Sequence, residues 1–283
     1  MTLIAALSHD NVWALFGDLL LTGKSSKDHA VWLPSQKEHQ VFFENSGWSV
    51  LGFAQKICMV GPNCAIAWSG EYVAARLVIR ELQDRAAAGA LTLEGIQAYL
   101  DGEPELKKHK CAFIGLVEAE GRFGLFGFDV QSFNSPSLGQ MVLDGSGSAT
   151  VYEFSRLMSR ATVTAGETTN PLQILVSKAL IFASLLLRSE FQGGDSAATI
   201  LQLFGGGYEL AFHSDGHLHK LDAVTFVFWD ARVLQDRGEL SHPQFLVTQK
   251  YAAEHLLIRS AHRRRWHLHR RATRTDPLGF APS

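Results

Sequence analysis

Apolar and polar positions change their period several times along this chain, and each change marks an element. Thr2-Leu3-Ile4-Ala5-Ala6-Leu7 is an apolar run suited to a strand, Ser8-His9-Asp10-Asn11 has turn chemistry, and Val12-Trp13-Ala14-Leu15-Phe16 returns toward Gly17-Asp18. The pattern predicts a β-hairpin. Its outer ends meet, so Asp18, a lone carboxylate in an apolar segment, is expected beside Thr2. Residues 24–55 then break the periodicity, with short β-like fragments at Val41-Phe42-Phe43 and Trp48-Ser49-Val50-Leu51. Cys64 to Trp68 reads as a buried strand, Ser69-Gly70 starts a helix, and Val73, Ala74, Leu77, Val78, Ile79 and Leu82 recur at helical spacing.

Further along, Thr92 to Leu100 predicts a short helix, and Cys111–Val117 and Arg122–Phe128 predict strands joined at Glu118-Ala119-Glu120-Gly121. Met141-Val142-Leu143 leads into Gly145-Ser146-Gly147-Ser148, and Val151, Phe154, Leu157 and Met158 mark the next helix. An apolar helix runs from Pro171. Lys178 interrupts it, leaving an apolar run far short of the roughly twenty residues a membrane span needs, so it reads as a core helix. After Gly193-Gly194 and Gly205-Gly206-Gly207, a hairpin from Tyr208 to Phe228 turns at Ser214-Asp215-Gly216. Strands and helices do not alternate as in a doubly wound sheet. The order suits two sheets face to face with helices outside, an α+β class.

Composition changes this picture little. At 283 residues, 46% hydrophobic and 19% charged, the chain can bury a full core. Charge is uneven: residues 259–283 carry +6 of a net -2, leaving an acidic body and a basic tail. That tail holds Arg263-Arg264-Arg265-Trp266 and Arg270-Arg271, ending its basic stretch at Arg274. A solvated extension or subunit contact is preferred to nucleic-acid binding through 259–274. Cys58, Cys64 and Cys111 lack CxxC spacing and read as reduced core residues. No metal site is expected: His213, His217 and His219 around the turn have no carboxylate or Cys at ligand spacing. No cofactor is called for, no membrane partner is expected, and without a secretory signal pattern a cytoplasmic location is expected.

The candidate chemistry lies at the start of the chain. Once Met1 is removed, Thr2 is a hydroxyl nucleophile that carries its own base. An α-amine has a pKa of about 7.7–8.0, so near neutrality part of it is uncharged and can take the Oγ proton.

Around Thr2 the motifs accumulate in order. Gly17-Asp18 follows at the sixteenth residue, then Thr22; Lys56 opens an apolar strand; Ser69-Gly70 opens a helix; and Gly145-Ser146-Gly147-Ser148 precedes another. In these residues the chain resembles the proteasome β-subunit family, which includes the peptidase subunit of the bacterial two-component ATP-dependent protease. The resemblance covers roughly residues 2–230 and implies a four-layer αββα sandwich, with 24–55 an insertion longer than the family's connection and 231–283 an unmatched C-terminal extension. It implies a threonine peptidase: Thr2 attacks a peptide carbonyl, Lys56 lowers the pKa of the nucleophile–amine pair, and Asp18 holds Lys56. The Gly70 N–H faces the oxyanion, Ser146 fixes the amine or shuttles a proton, and Thr22 and Trp68 line the substrate site. Trp68 falls where the family's specificity pocket lies, with a core aromatic as the alternative. Partners implied are peptide or protein substrates, copies of the same chain in a ring or double ring, and an activating ATPase of unassigned identity. Two departures stand out: Leu20 where the family often has Arg, and no Asp-x-x-Ser-Gly near the closing hairpin. A non-catalytic assembly protein on the same fold and a small-amide hydrolase are the alternatives.

Overall fold

A computed structural model describes residues 2–24, 31, 33–35, 47–119, 121–135, 138–158, 170–192, 198–234, 237–262 and 272–274. Met1, Val41-Phe42-Phe43, Gly193-Gly194 and the Arg263–Arg271 stretch lie outside the described residues. Helices take about 30% and strands 49%, in several antiparallel sheets. That excludes a parallel doubly wound arrangement.

Strands β1 (Leu3–His9) and β2 (Val12–Asp18) form the first hairpin. Asp10 and Asn11 close it with φ angles of 48° and 63°, the left-handed pair that a two-residue turn needs. β9 (Gln131–Ser135), β10 (Gly139–Gly145), β11 (Tyr208–Ser214) and β12 (His217–Lys220) flank it in a six-stranded sheet ordered β12-β11-β2-β1-β10-β9. A second sheet runs β5 (Ile57–Gly61), β6 (Cys64–Ser69), β7 (Ala112–Ala119) and β8 (Arg122–Phe128).

β1 is apolar on both faces because both are covered. Leu3, Ala5 and Leu7 pack with Phe182 and Leu186 of helix α5 (Pro171–Gln192), while Ile4 and Ala6 share an interior with Ala65, Ala67, Ile114 and Leu116 of the second sheet. The other face of the second sheet, with Ile66, Trp68 and Phe113, meets α1 (Tyr72–Ala87) and α2 (Leu93–Gly102). Thr92 caps α2 by accepting the Gly95 N–H at 3.1 Å. The short α3 (Pro104–Lys108) and α6 (Ala198–Leu201) complete connections, and α4 (Ser148–Met158) follows the 145–147 turn. By length and composition α5 is apolar enough to cross a membrane, yet Leu175, Ala179, Phe182, Ala183 and Leu186 are buried in the core.

One expected β-like fragment is present, and one region differs from expectation. Inside the 24–55 insertion, β4 (Trp48–Phe53) returns alongside β3 (Leu20–Lys24) as a two-stranded sheet, and Leu33 enters the main core. The C-terminal region is not a loose extension. β13 (Ala223–Leu234), β14 (Arg237–Ala252), β15 (His255–His262) and the short β16 (Ala272–Arg274) form their own antiparallel sheet. A boundary at residue 230 therefore falls inside β13, and the expected Tyr208–Phe228 hairpin divides between two sheets at Leu221-Asp222. Phe226, Phe245, Val247, Leu256 and Ile258 are buried in the same core as β1 and α5. Their alternation along the strands is blurred in the sequence by apolar residues on the opposite face, Val227, Leu246 and Leu257.

Candidate active site

The hairpin register, Ile4 opposite Gly17, sets Thr2 against Asp18 at the hairpin's open end. Both are buried, Thr2 at 1% exposure and Asp18 at 0%. The Thr2 hydroxyl donates to Asp18 Oδ1, which also accepts the Leu3 N–H at 3.0 Å. Asp18 Oδ2 accepts the N–H of Leu20 at 3.2 Å and of Gly205 at 2.8 Å. Four donors on one carboxylate fit its ionised, acceptor-only form. Burial opposes that charge and leaves the Asp18 pKa raised, although Lys56 and the donors from Leu3, Thr2 and Gly205 pull it down.

Lys56, immediately before β5, is buried at 1% exposure. Burial lowers its pKa to about 8, against the raising influence of Asp18 first and Glu209 second. Its ammonium lies 4.0 Å from the centre of the Trp68 indole, and the indole N–H donates to the Gln55 carbonyl at 3.0 Å. The expected grip of Asp18 on Lys56 is thus not a contact. Among the described residues no ion pair within 4.0 Å joins them, because hydroxyl and backbone donors occupy the Asp18 oxygens. Trp68 is fully buried and supports the ammonium from below rather than lining an open pocket.

Gly70 sits at the turn from β6 into α1 with φ 95°, and a Cβ there would come within 2.2 Å of the Lys110 carbonyl, so the turn requires glycine. Beside it the Ser69 hydroxyl donates to Asp144, tying the second sheet to β10. The Ser146 hydroxyl and the Gly147 N–H both donate to the Thr2 carbonyl at 3.4 Å, so Ser146 holds the backbone of Thr2. Thr22 lies on β3 opposite Val50, buried, its hydroxyl without a partner among the described residues.

Three features around this cluster escaped the sequence reading. Gly205, Gly206 and Gly207 all have positive φ, at 125°, 76° and 132°. They present successive N–H groups to two buried carboxylates: Gly205 to Asp18, and Gly206 to Glu190 Oε2 at 3.0 Å. Glu190, at the end of α5, also accepts the Ser35 hydroxyl from the insertion, and burial beside Asp18 raises its pKa to about 7. Glu209 is the third, a buried carboxylate on β11 that accepts the backbone N–H of Lys56 at 2.7 Å. The Gly-Gly-Gly run and a Glu inside the apolar 208–212 stretch were the visible signals.

Other candidates do not join the cluster. Cys58, Cys64 and Cys111 are free and buried, with Cys58 and Cys64 thiols pushed up to about 12. His213 packs on Phe123, and among the described residues no group of three His, Cys, Asp or Glu is placed to hold a metal. No family model matches the chain, and a search of curated proteins finds no match. The resemblance stands on the motif residues themselves.

Proposed function

We propose that the chain is a threonine peptidase of the proteasome β type, with Thr2 as nucleophile once Met1 is removed. The observation that carries this reading is the Thr2 hydroxyl bonded to a buried Asp18, with the buried Lys56 under the influence of that carboxylate. While Met1 remains, the Thr2 nitrogen is an amide and cannot act as a base. Cleavage frees the amine, and the ammonium of Lys56 is assigned to favour its neutral form. The amine takes the Oγ proton as Oγ attacks the substrate carbonyl, and the same proton passes to the leaving amine. Water then hydrolyses the acyl-enzyme. The Gly70 N–H is assigned to the oxyanion, and Ser146 to holding the Thr2 carbonyl.

In this reading the two main sheets and their helices form a four-layer αββα sandwich of the N-terminal nucleophile type. Support comes from the shared interior of β1 with the second sheet and the helix-covered cores outside it. Self-assembly belongs to the same proposal, supported by the exposed Val73 and Leu77 of α1 and Tyr152 of α4. A non-catalytic role on the same fold is the second reading, favoured by the 1% exposure of Thr2. Hydrolysis of peptides and small amides by the processed protein, compared with Thr2→Ala, tests the proposal. Activity lost in the variant supports it; activity retained there places the chemistry elsewhere.

A further inference from the structure

The C-terminal sheet reaches Lys56 through a buried carboxylate. Gln249 and Tyr251, two apart on β14, face the same way. Gln249 pairs with the backbone of Tyr208, its Nε2 donating to the carbonyl at 2.6 Å and its Oε1 accepting the N–H at 3.1 Å. The Tyr251 hydroxyl donates to Glu209 Oε1, where the Lys220 ammonium also lands at 2.8 Å. Glu209 Oε2 accepts the backbone N–H groups of Lys56 at 2.7 Å and Ile57 at 3.1 Å. Lys220 also donates to Gln55 Oε1 at 2.6 Å, and Gln55 Nε2 donates to the Glu254 carbonyl in the β14–β15 turn. Each lone pair of a carboxylate with no exposed side-chain surface is thus answered by a neighbour from a defined element.

We propose that the β13–β15 sheet is a working part of the Thr2 site: its Tyr251, together with Lys220 of β12, fixes the Glu209 carboxylate, and Glu209 fixes the backbone and charge of Lys56. Glu209, Lys220 and Tyr251 are positioning residues. The catalytic meaning rests on the Thr2 reading, while the coupling to Lys56 stands apart from turnover. The charged or titratable groups acting on Lys56 are Asp18 on β2, Glu209 on β11 and Cys58 on β5. Glu209 is the one whose oxygens meet the C-terminal sheet.

An NMR titration of isotope-labelled lysine, with the Lys56 signal assigned through Lys56→Arg, tests this without substrate. The native midpoint is expected at about 8. Glu209→Gln removes a negative charge and lowers the midpoint by at least about half a pH unit. Tyr251→Phe removes a donor that offsets that charge and raises it. Opposite shifts support the proposal; if only one variant folds, its shift in the stated direction decides. A Lys56 midpoint unmoved, or moved the other way, in a folded variant overturns it. Shifted midpoints in a protein whose processed Thr2 is inert leave this coupling standing and remove only the peptidase reading.

Discussion

Asp18 is where the largest single-residue effect on stability is expected. Replacing it with Ala removes the acceptor for the N–H groups of Leu3, Leu20 and Gly205 and for the Thr2 hydroxyl. A buried donor left without a partner costs about 1–3 kcal/mol, so Asp18→Ala should lose at least about 3 kcal/mol in urea denaturation. Thr2→Ala removes one hydroxyl and should cost far less. Two buried groups each contribute to the pH dependence of stability with a definite sign. Glu190 rises from 4.5 to about 7 on folding, so the folded state holds its proton more tightly and stability falls as pH climbs through that window. Lys56 drops from 10.5 to about 8, so the unfolded chain binds its proton more tightly and stability rises with pH across that interval. The buried Cys58 and Cys64 thiols, raised from 9.0 to about 12, oppose the Lys56 limb above pH 9, so each limb is read as the difference in thermal unfolding against pH between native protein and variant, Glu190→Gln for the first and Lys56→Met for the second. Unaltered limbs in the folded variants contradict these assignments.

At the scale of elements, the Gly205–Gly207 loop decides where two carboxylates sit. A Cβ on Gly206 would meet Phe53 Cε1 at 2.4 Å, at φ 76°, so Gly206→Ala combines backbone strain with a clash and should cost roughly 1–3 kcal/mol. Alanine at Gly216, an open turn position, meets nothing within 4 Å and carries only the strain of φ 82°. A melting temperature equal in the two variants would show that the loop is not held as described. The first hairpin was legible in the sequence because turn residues and apolar runs agree over adjacent positions. So were the helix starts at Gly70 and Thr92. The Gly loop's role was not, since a glycine run reveals permissive backbone but not which distant carboxylates, here from β2 and α5, come to face it. Nothing in the local sequence marks Glu190, and only the packing of α5 brings it to Gly206.

Across the whole molecule, the C-terminal sheet is part of the core rather than an appendage. Val247 and Ile258 are buried at 0% and 1% exposure, and the Ser260 hydroxyl donates to the Pro34 carbonyl at 2.7 Å. Deleting 223–283 should therefore abolish the cooperative unfolding transition, whereas deleting 275–283 should leave it in place. A cooperative transition in the shorter chain contradicts the shared core. This sheet was hidden because apolar residues on the opposite face, Val227, Leu246 and Leu257, blur the period of two, and because the basic residues between β15 and β16 dominate the composition of the tail. The separation of Lys56 from Asp18 was equally invisible. Spacing placed both near Thr2, but which groups occupy each charge depends on Trp68, Glu209 and the Gly loop, drawn from three distant parts of the chain.

The central claim is that Thr2, freed of Met1, is a nucleophile. Mass spectrometry of protein treated with an electrophile that captures an N-terminal Thr through both its hydroxyl and its amine tests this most directly. The account predicts a single adduct on Thr2 in the processed protein, none in the form that keeps Met1, and none in Thr2→Ala. Processed, folded protein that takes up no adduct at Thr2 contradicts it.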